Sequence, residues 1–292
     1  MSTNDFNLTF GGNIGFNKTK ITNLAAQPLD EFYIDGIAEE RRFYFGAQVT
    51  RGNIFRYPAN VFVEGEETSL FYGLETDGIY QTGDVLPDVF GSTAVPGDVK
   101  IVDQNGDGII DLNDRTFIGN PNPDFIYGFN FNINYKRFNA SILFNGVFGN
   151  DIANGNLLQL NNAEGLTYLN ISPDAYYNAW RPGNAGEIIY NEYPRIGYTT
   201  NGQPAMTDRI IEDGSYLRLS NLTVSYDFDV SNSSALSSLK LFVAGQNLLT
   251  FTNYSGYDPE ISSFLYNGLI NGVDWNGRAN ERTFILGLNV GF

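Results

Sequence analysis

The densest group of chemically capable side chains in this sequence is DQNGDGIIDLND, from Asp103 to Asp114. A calcium loop of the EF-hand type needs oxygen donors at loop positions 1, 3, 5, 9 and 12, a backbone carbonyl at 7, and glycine at 6 for the sharp turn. Asp103, Asn105, Asp107, Asp111 and Asp114 supply side-chain oxygens in that spacing, Ile109 the carbonyl and Gly108 the turn. Position 12 is Asp where the loop type carries Glu, so its shorter arm reaches less far for bidentate ligation and a weaker site is expected. The competing reading is an acidic turn of Asx-type hydrogen bonds with no ion, in which the clustered carboxylates repel one another. Nothing flanking the loop reads as helix, so Ca2+ is expected here as a staple for an exposed loop, not as a switch.

Other site chemistry is narrowed by composition. The chain has no Cys and no His, which removes disulfides, thiolate sites, the usual zinc ligand and the commonest general base. Acids outnumber bases by 33 to 17, for a formal charge of −16, so there is no basic stripe to displace counterions and nucleic acid is not an expected partner. A glycosidase needs two carboxylates about 5 to 9.5 Å apart. No segment presents acids on a rigid strand facing a cleft, and an enzyme is not the expectation.

The acidic loop lies within a long Gly-, Pro- and Asp-rich connection, 82–123, and the strand pair that follows it sets the character of the chain. From Phe125 to Tyr135 every odd position is large and apolar, with Gly128, Asn130, Asn132 and Asn134 between. After Lys136-Arg137 the phase moves to even positions through Phe138, Ala140, Ile142, Phe144, Gly146 and Phe148. Strict alternation predicts strands, and so short a join predicts an antiparallel hairpin. The polar face carries Asn, Ser and Gly in place of the Lys, Glu and Arg of a solvated sheet. Strands of about ten residues with an aromatic outer face and small uncharged inner residues suit a transmembrane β-barrel. The alternative is an antiparallel sheet packed on an ordinary core. No apolar run reaches the roughly 18 to 20 residues of a membrane helix, so any spanning must be done by strands.

The same patterning places strands at 5–17, 69–81, 215–228, 239–251 and 283–292, with a short one at 43–49, where Arg41, Arg42, Arg51 and Arg56 interrupt any lipid-facing band. Leu222, Val224, Tyr226 and Phe228 share one face, as do Phe284, Leu286, Leu288, Val290 and Phe292. Ser172 and Pro173 mark the start of a helical turn running to Trp180. Exposed Tyr and Trp of that region could stack on sugars, but the simpler reading is that they pack the loops together. Short joins at 136–137 and 229–238 alternate with long ones at 82–123, 150–213 and 252–281. In an outer-membrane barrel the short joins are periplasmic and the long ones extracellular. Counting back from a descending last strand gives about seven strands, with 5–17 descending. The odd count, the strand directly behind Met1 and the lack of a secretory signal lead to the expectation that the chain is part of a longer reading frame.

Several blocks, in one order, closely resemble the C-terminal third of SusC/RagA-type TonB-dependent outer-membrane transporters of Bacteroidota: GDVKIVDQNGDGIIDLNDRTFIGNPNPDFIYGFN, EYPRIG, RIIEDGSYLRLSNLTVSY, LKLFVAGQNLLTFTNYSGYDPEI and RTFILGLNVGF. The resemblance runs from about Ser69 to Phe292. It implies an all-β chain forming the C-terminal segment of a 22-strand plugged barrel. It implies import of oligosaccharides or peptides, energy relayed through TonB, a SusD-like surface lipoprotein as partner, and outer-membrane lipid as surroundings. The signal peptide, TonB box, plug and remaining barrel have no counterpart among these residues. The rival reading is a secreted calcium-dependent carbohydrate-binding or adhesin module, which explains the acidic loop but not lipid-style alternation running to the last residue.

Overall fold

The computed structural model describes residues 5–24, 43–47, 58–162, 170–182, 193–196, 206–232, 235–260, 263–264 and 267–292. Arg41, Arg42, Arg51, Arg56 and the end of the strand expected at 43–49 lie outside them; Phe43–Phe45 is a strand. Six long strands form one antiparallel sheet: β1 (Phe6–Gly15), β2 (Phe125–Tyr135), β3 (Phe138–Phe148), β4 (Tyr216–Asp227), β5 (Ser238–Thr252) and β6 (Thr283–Gly291). They neighbour one another in chain order.

The register turns the alternation into two surfaces. Phe10, Phe131, Ile142, Leu222, Gly245 and Phe284 lie side by side across the sheet. One residue along, on the opposite face, Thr9, Asn132, Ser141, Thr223, Ala244 and Ile285 form the next row. A register shift at Leu143/Phe144 absorbs one residue of β4 and keeps Leu219 and Leu217 in phase with the apolar rows, and one at Leu219/Asn221 absorbs a further residue of β5.

The hairpin at Lys136-Arg137 is as the spacing predicts, with Tyr135 opposite Phe138 and Lys136 at a positive φ of 54°. The strand count differs from expectation. The segment 69–81 is not a spanning strand: it divides into Leu70–Leu74 and Thr76–Ile79, which pair with Arg115–Gly119 and Val99–Ile101. The pairing Phe6↔Tyr135 sets the start of β1 beside the short turn, so β1 runs toward the long-connection end and does not descend as expected. Among the described residues six strands make up this sheet, where about seven were expected.

All three long connections leave from one end of the sheet, and their described parts fold together there as a cap. Asp151–Asn154 is the centre of a small sheet, antiparallel to Ile211–Asp213 and parallel to Val273–Asp274, so the second and third connections share a ladder. The first, which runs from the end of β1 to the start of β2, joins them through Leu74 N–H donating to the Met206 carbonyl (2.8 Å) and through Asn60, whose Oδ1 accepts from Asn271 N–H (3.0 Å). The dry cores lie in this cap. One gathers Phe71, Ala59, Ala153, Met206, Ile210, Ile270 and Val273; another gathers Leu74, Ile79, Tyr80, Val99, Ile101 and Ile110 with Trp180 against it. The helix begins as expected, Pro173–Asn178, with Ser172 Oγ accepting from Ala175 N–H (3.1 Å).

Candidate functional site

The apolar rows of the sheet have no second layer over them among the described residues. Phe10 is 62% exposed and Phe284 74%, and Ile14, Phe138, Phe148, Val243, Phe251, Leu286 and Leu288 are exposed as well. A side chain of this size left in water forgoes about 1.5–3 kcal/mol relative to burial. A continuous uncovered face of this kind marks an interaction surface, not a water-facing wall. Its rings pack laterally: Phe125 on Phe148 at 4.9 Å, Phe129 on Phe144 at 4.9 Å and Phe138 on Tyr226 at 4.7 Å between centroids. Tyr127 stands at the cap end of the sheet, and Tyr135 and Tyr226 at the short-turn end, where amphipathic rings suit the two boundaries of a bilayer.

The acidic loop sits in the cap as a chain of Asx turns. Asp103 accepts from Gly106 N–H (2.7 Å) and Gly108 N–H (2.8 Å), Asn105 Oδ1 from Asp107 N–H (2.9 Å), and Asp107 Oδ1 from Ile109 N–H (2.8 Å). Gly106 and Gly108 both take positive φ, 75° and 82°, the conformation that the expected turn requires of glycine. Asp103, Asn105 and Asp107 thus share one exposed bend, and their side-chain oxygens keep lone pairs beyond the amides they accept.

Asp111 and Asp114 are used differently. They form a capping box around Leu112–Asp114, and Asp114, fully buried, also accepts from Gln104 N–H (3.0 Å). Burial pushes the Asp114 carboxyl above its ordinary value, against the pull of those amides. Among the described residues no three acidic side chains converge into a ready ligand cage. The loop therefore brings Asp103, Asn105 and Asp107 together and commits Asp111 and Asp114 to closing it from behind.

A second constellation was not singled out by spacing. Arg218 of β4 lies on the polar face, in register with Asn145 and Thr250, yet is only 2% exposed. Its Nε donates to Thr250 Oγ1 (3.1 Å), its two terminal nitrogens pair with Asp258 and Glu260, and its guanidinium lies 5.1 Å from the Tyr216 ring centre. Asp258 accepts in addition from Glu260 N–H (2.9 Å) and Asn280 N–H (3.2 Å). Nearby, Tyr254 Oη donates to the buried Asp274 (2.6 Å), and burial and that bond hold the phenol above its ordinary range. The available signal was a lone base at a polar position of SYLRLSNLTVSY, on a strand face otherwise free of charge between its ends.

No protein-family model matches the chain. Over 100% of its length it is 33% identical to TonB-dependent receptor P3 of Formosa agariphila, covering 27% of that protein. It is 28% identical over 99% of its length to TonB-dependent receptor P26 of the same organism, covering 28% of it. With TonB-dependent receptor SusC of Bacteroides thetaiotaomicron it is 26% identical over 99% of its length, covering 25% of it. The chain thus spans about a quarter of the length of the curated relatives it matches. Among solved structures, the RagAB peptide transporter matches all of the chain with a TM-score of 0.68 at 21% identity, over 28% of its own length. The RagAB peptide importer in its open-open state gives 0.70 at 22% identity, over 27% of its own length. At these identities the likeness is one of fold.

Proposed function

We propose that this chain, similar over its whole length to TonB-dependent receptors that include SusC, supplies the C-terminal barrel wall and part of the extracellular cap of an active importer of the Bacteroidota outer membrane. The observation that carries this reading is the two-faced sheet, with uncovered aromatic rows on one side and Asn, Ser, Thr and Gly rows on the other. The aromatic face meets acyl chains and the polar face a wet lumen. The short joins are then periplasmic and the cap extracellular. The cargo is an oligosaccharide or peptide, a SusD-like lipoprotein is the surface partner, and TonB acts through parts of the receptor beyond this quarter. The role is transport, in keeping with relatives named as receptors, and not catalysis. Cells lacking the full receptor are expected to lose at least ten-fold of their uptake of one of these two cargo classes; unchanged uptake of both would sink the proposal. The adhesin reading has no place for apolar rows that nothing among the described residues covers.

Calcium at the 103–114 loop is a further part of this reading. The candidate ligands are Asp103, Asn105 and Asp107, with the Ile109 carbonyl and Asp111, and with Asp114 exchanging an amide for the ion. Support comes from three donor side chains on one exposed bend and from both glycines at positive φ. In the full receptor, calcium is expected to protect this loop from protease, and Asp103→Ala with Asp107→Ala to abolish that protection. Equal cleavage of the parent protein in calcium and in chelator would rule the site out.

A further inference from the structure

The third long connection runs from the end of β5 to the start of β6; its first arm returns to a side chain on the polar wall, and its second arm is held to the first. Asp258 and Glu260, just past β5, pair with Arg218, while Asn280, just before β6, donates its N–H to the same Asp258. Arg218 stands on the face that carries Asn145 and Thr250, opposite the aromatic rows, so the connection bends over the lumen and not over the lipid side. Its middle is tied down separately. Val273–Asp274 pairs in parallel with Asp151–Asn154, and Asp274 accepts from Tyr254 Oη and from Gly277 N–H (3.0 Å).

We infer that the described residues of 253–282 form a fixed strap across the luminal mouth, positioned by Arg218, and not a lid that moves on its own. The inference rests on the barrel reading above and adds a positioning residue to it. One guanidinium fork satisfies two carboxylates and a hydroxyl at once, which a single ammonium cannot do in the same geometry. A buried Asp258 that lost this partner would be left with backbone amides alone, and a buried carboxylate without its cation is strongly disfavoured. Releasing Arg218 therefore detaches the first arm from the wall, and with it the second arm, which is held through Asp258.

The test uses the full receptor in detergent, treated with trypsin, with Arg278 and Arg282 on the strap as the cleavage sites and heat-modifiable migration as the separate sign of an intact barrel. Arg218→Gln is expected to speed cleavage at these sites at least ten-fold while heat-modifiability is kept, with Arg218→Lys falling between. An unchanged rate in an intact Arg218→Gln barrel overturns the inference, as does a lysine that protects as fully as arginine. Should Arg218→Gln lose the barrel, Asp258→Asn with Glu260→Gln, which leaves the wall untouched, decides by the same rate; if that variant also loses it, the hub holds the wall and the strap inference is overturned. An unaltered receptor without heat-modifiability would instead mean that the barrel reading itself has failed.

Discussion

Tyr254 and Asp274 illustrate how single polar atoms hold the cap. Asp274 is almost fully buried, and its carboxylate is satisfied by the Tyr254 hydroxyl and by local partners. Tyr254→Phe keeps the ring and removes the donor, so it is expected to cost about 1.5–3 kcal/mol, the range for a hydrogen bond to a charged group. Hydrogen exchange of the amides in 253–282 measures this; exchange as slow as in the parent would contradict it. At the other end of the sheet, the Ser231 hydroxyl, then its amide and Arg137, hold the Asp229 carboxyl well below its ordinary value. A carboxyl lowered by folding stabilises the turn above the ordinary carboxylate range, and that contribution is lost as pH falls through the lowered folded value. Ser231→Ala is expected to raise the Asp229 pKa and move this loss to higher pH, read by following the carboxyl carbon through an acid titration; an unmoved titration would count against it.

Among the elements, the hairpin β2–β3 and the faces of β4 and β6 were legible in sequence because alternation against small polar residues is local and strict. The segment 69–81 was not, and the reason lies in Leu70–Leu74. It alternates like a spanning strand, yet Phe71 and Gly73 occupy what should be its polar positions, and both sides of it are buried. A strand with no polar face belongs in a dry core, and this one crosses the first cap cluster. Gly73 allows it: a Cβ there would sit 2.3 Å from the Met206 carbonyl oxygen, the acceptor that joins two long connections. Phe71 packs against residues from all three connections, so Phe71→Ala should destabilise the cap by about 3–5 kcal/mol. Faster hydrogen exchange in 206–213 and 270–274 as well as in 70–74 is the expected signature, and loss confined to 70–74 would show that the connections fold independently.

At the scale of the molecule, the pairing of β1 with β2 spans the whole first connection, and no local pattern announces a contact of that separation. The same holds for the Arg218 hub, whose carboxylates lie some forty residues away. What periodicity did supply was the division into an aromatic and a polar surface, and the account depends on which solvent each one meets. The most direct measurement places single tryptophans in the full receptor reconstituted in bilayers, at Phe131, Val243 or Phe284 on one face and at Asn132, Thr223 or Ala244 on the other. Brominated acyl chains are expected to quench the first set and leave the second bright, with a water-soluble quencher doing the reverse. Equal quenching on both faces, or the opposite assignment, would contradict the barrel account.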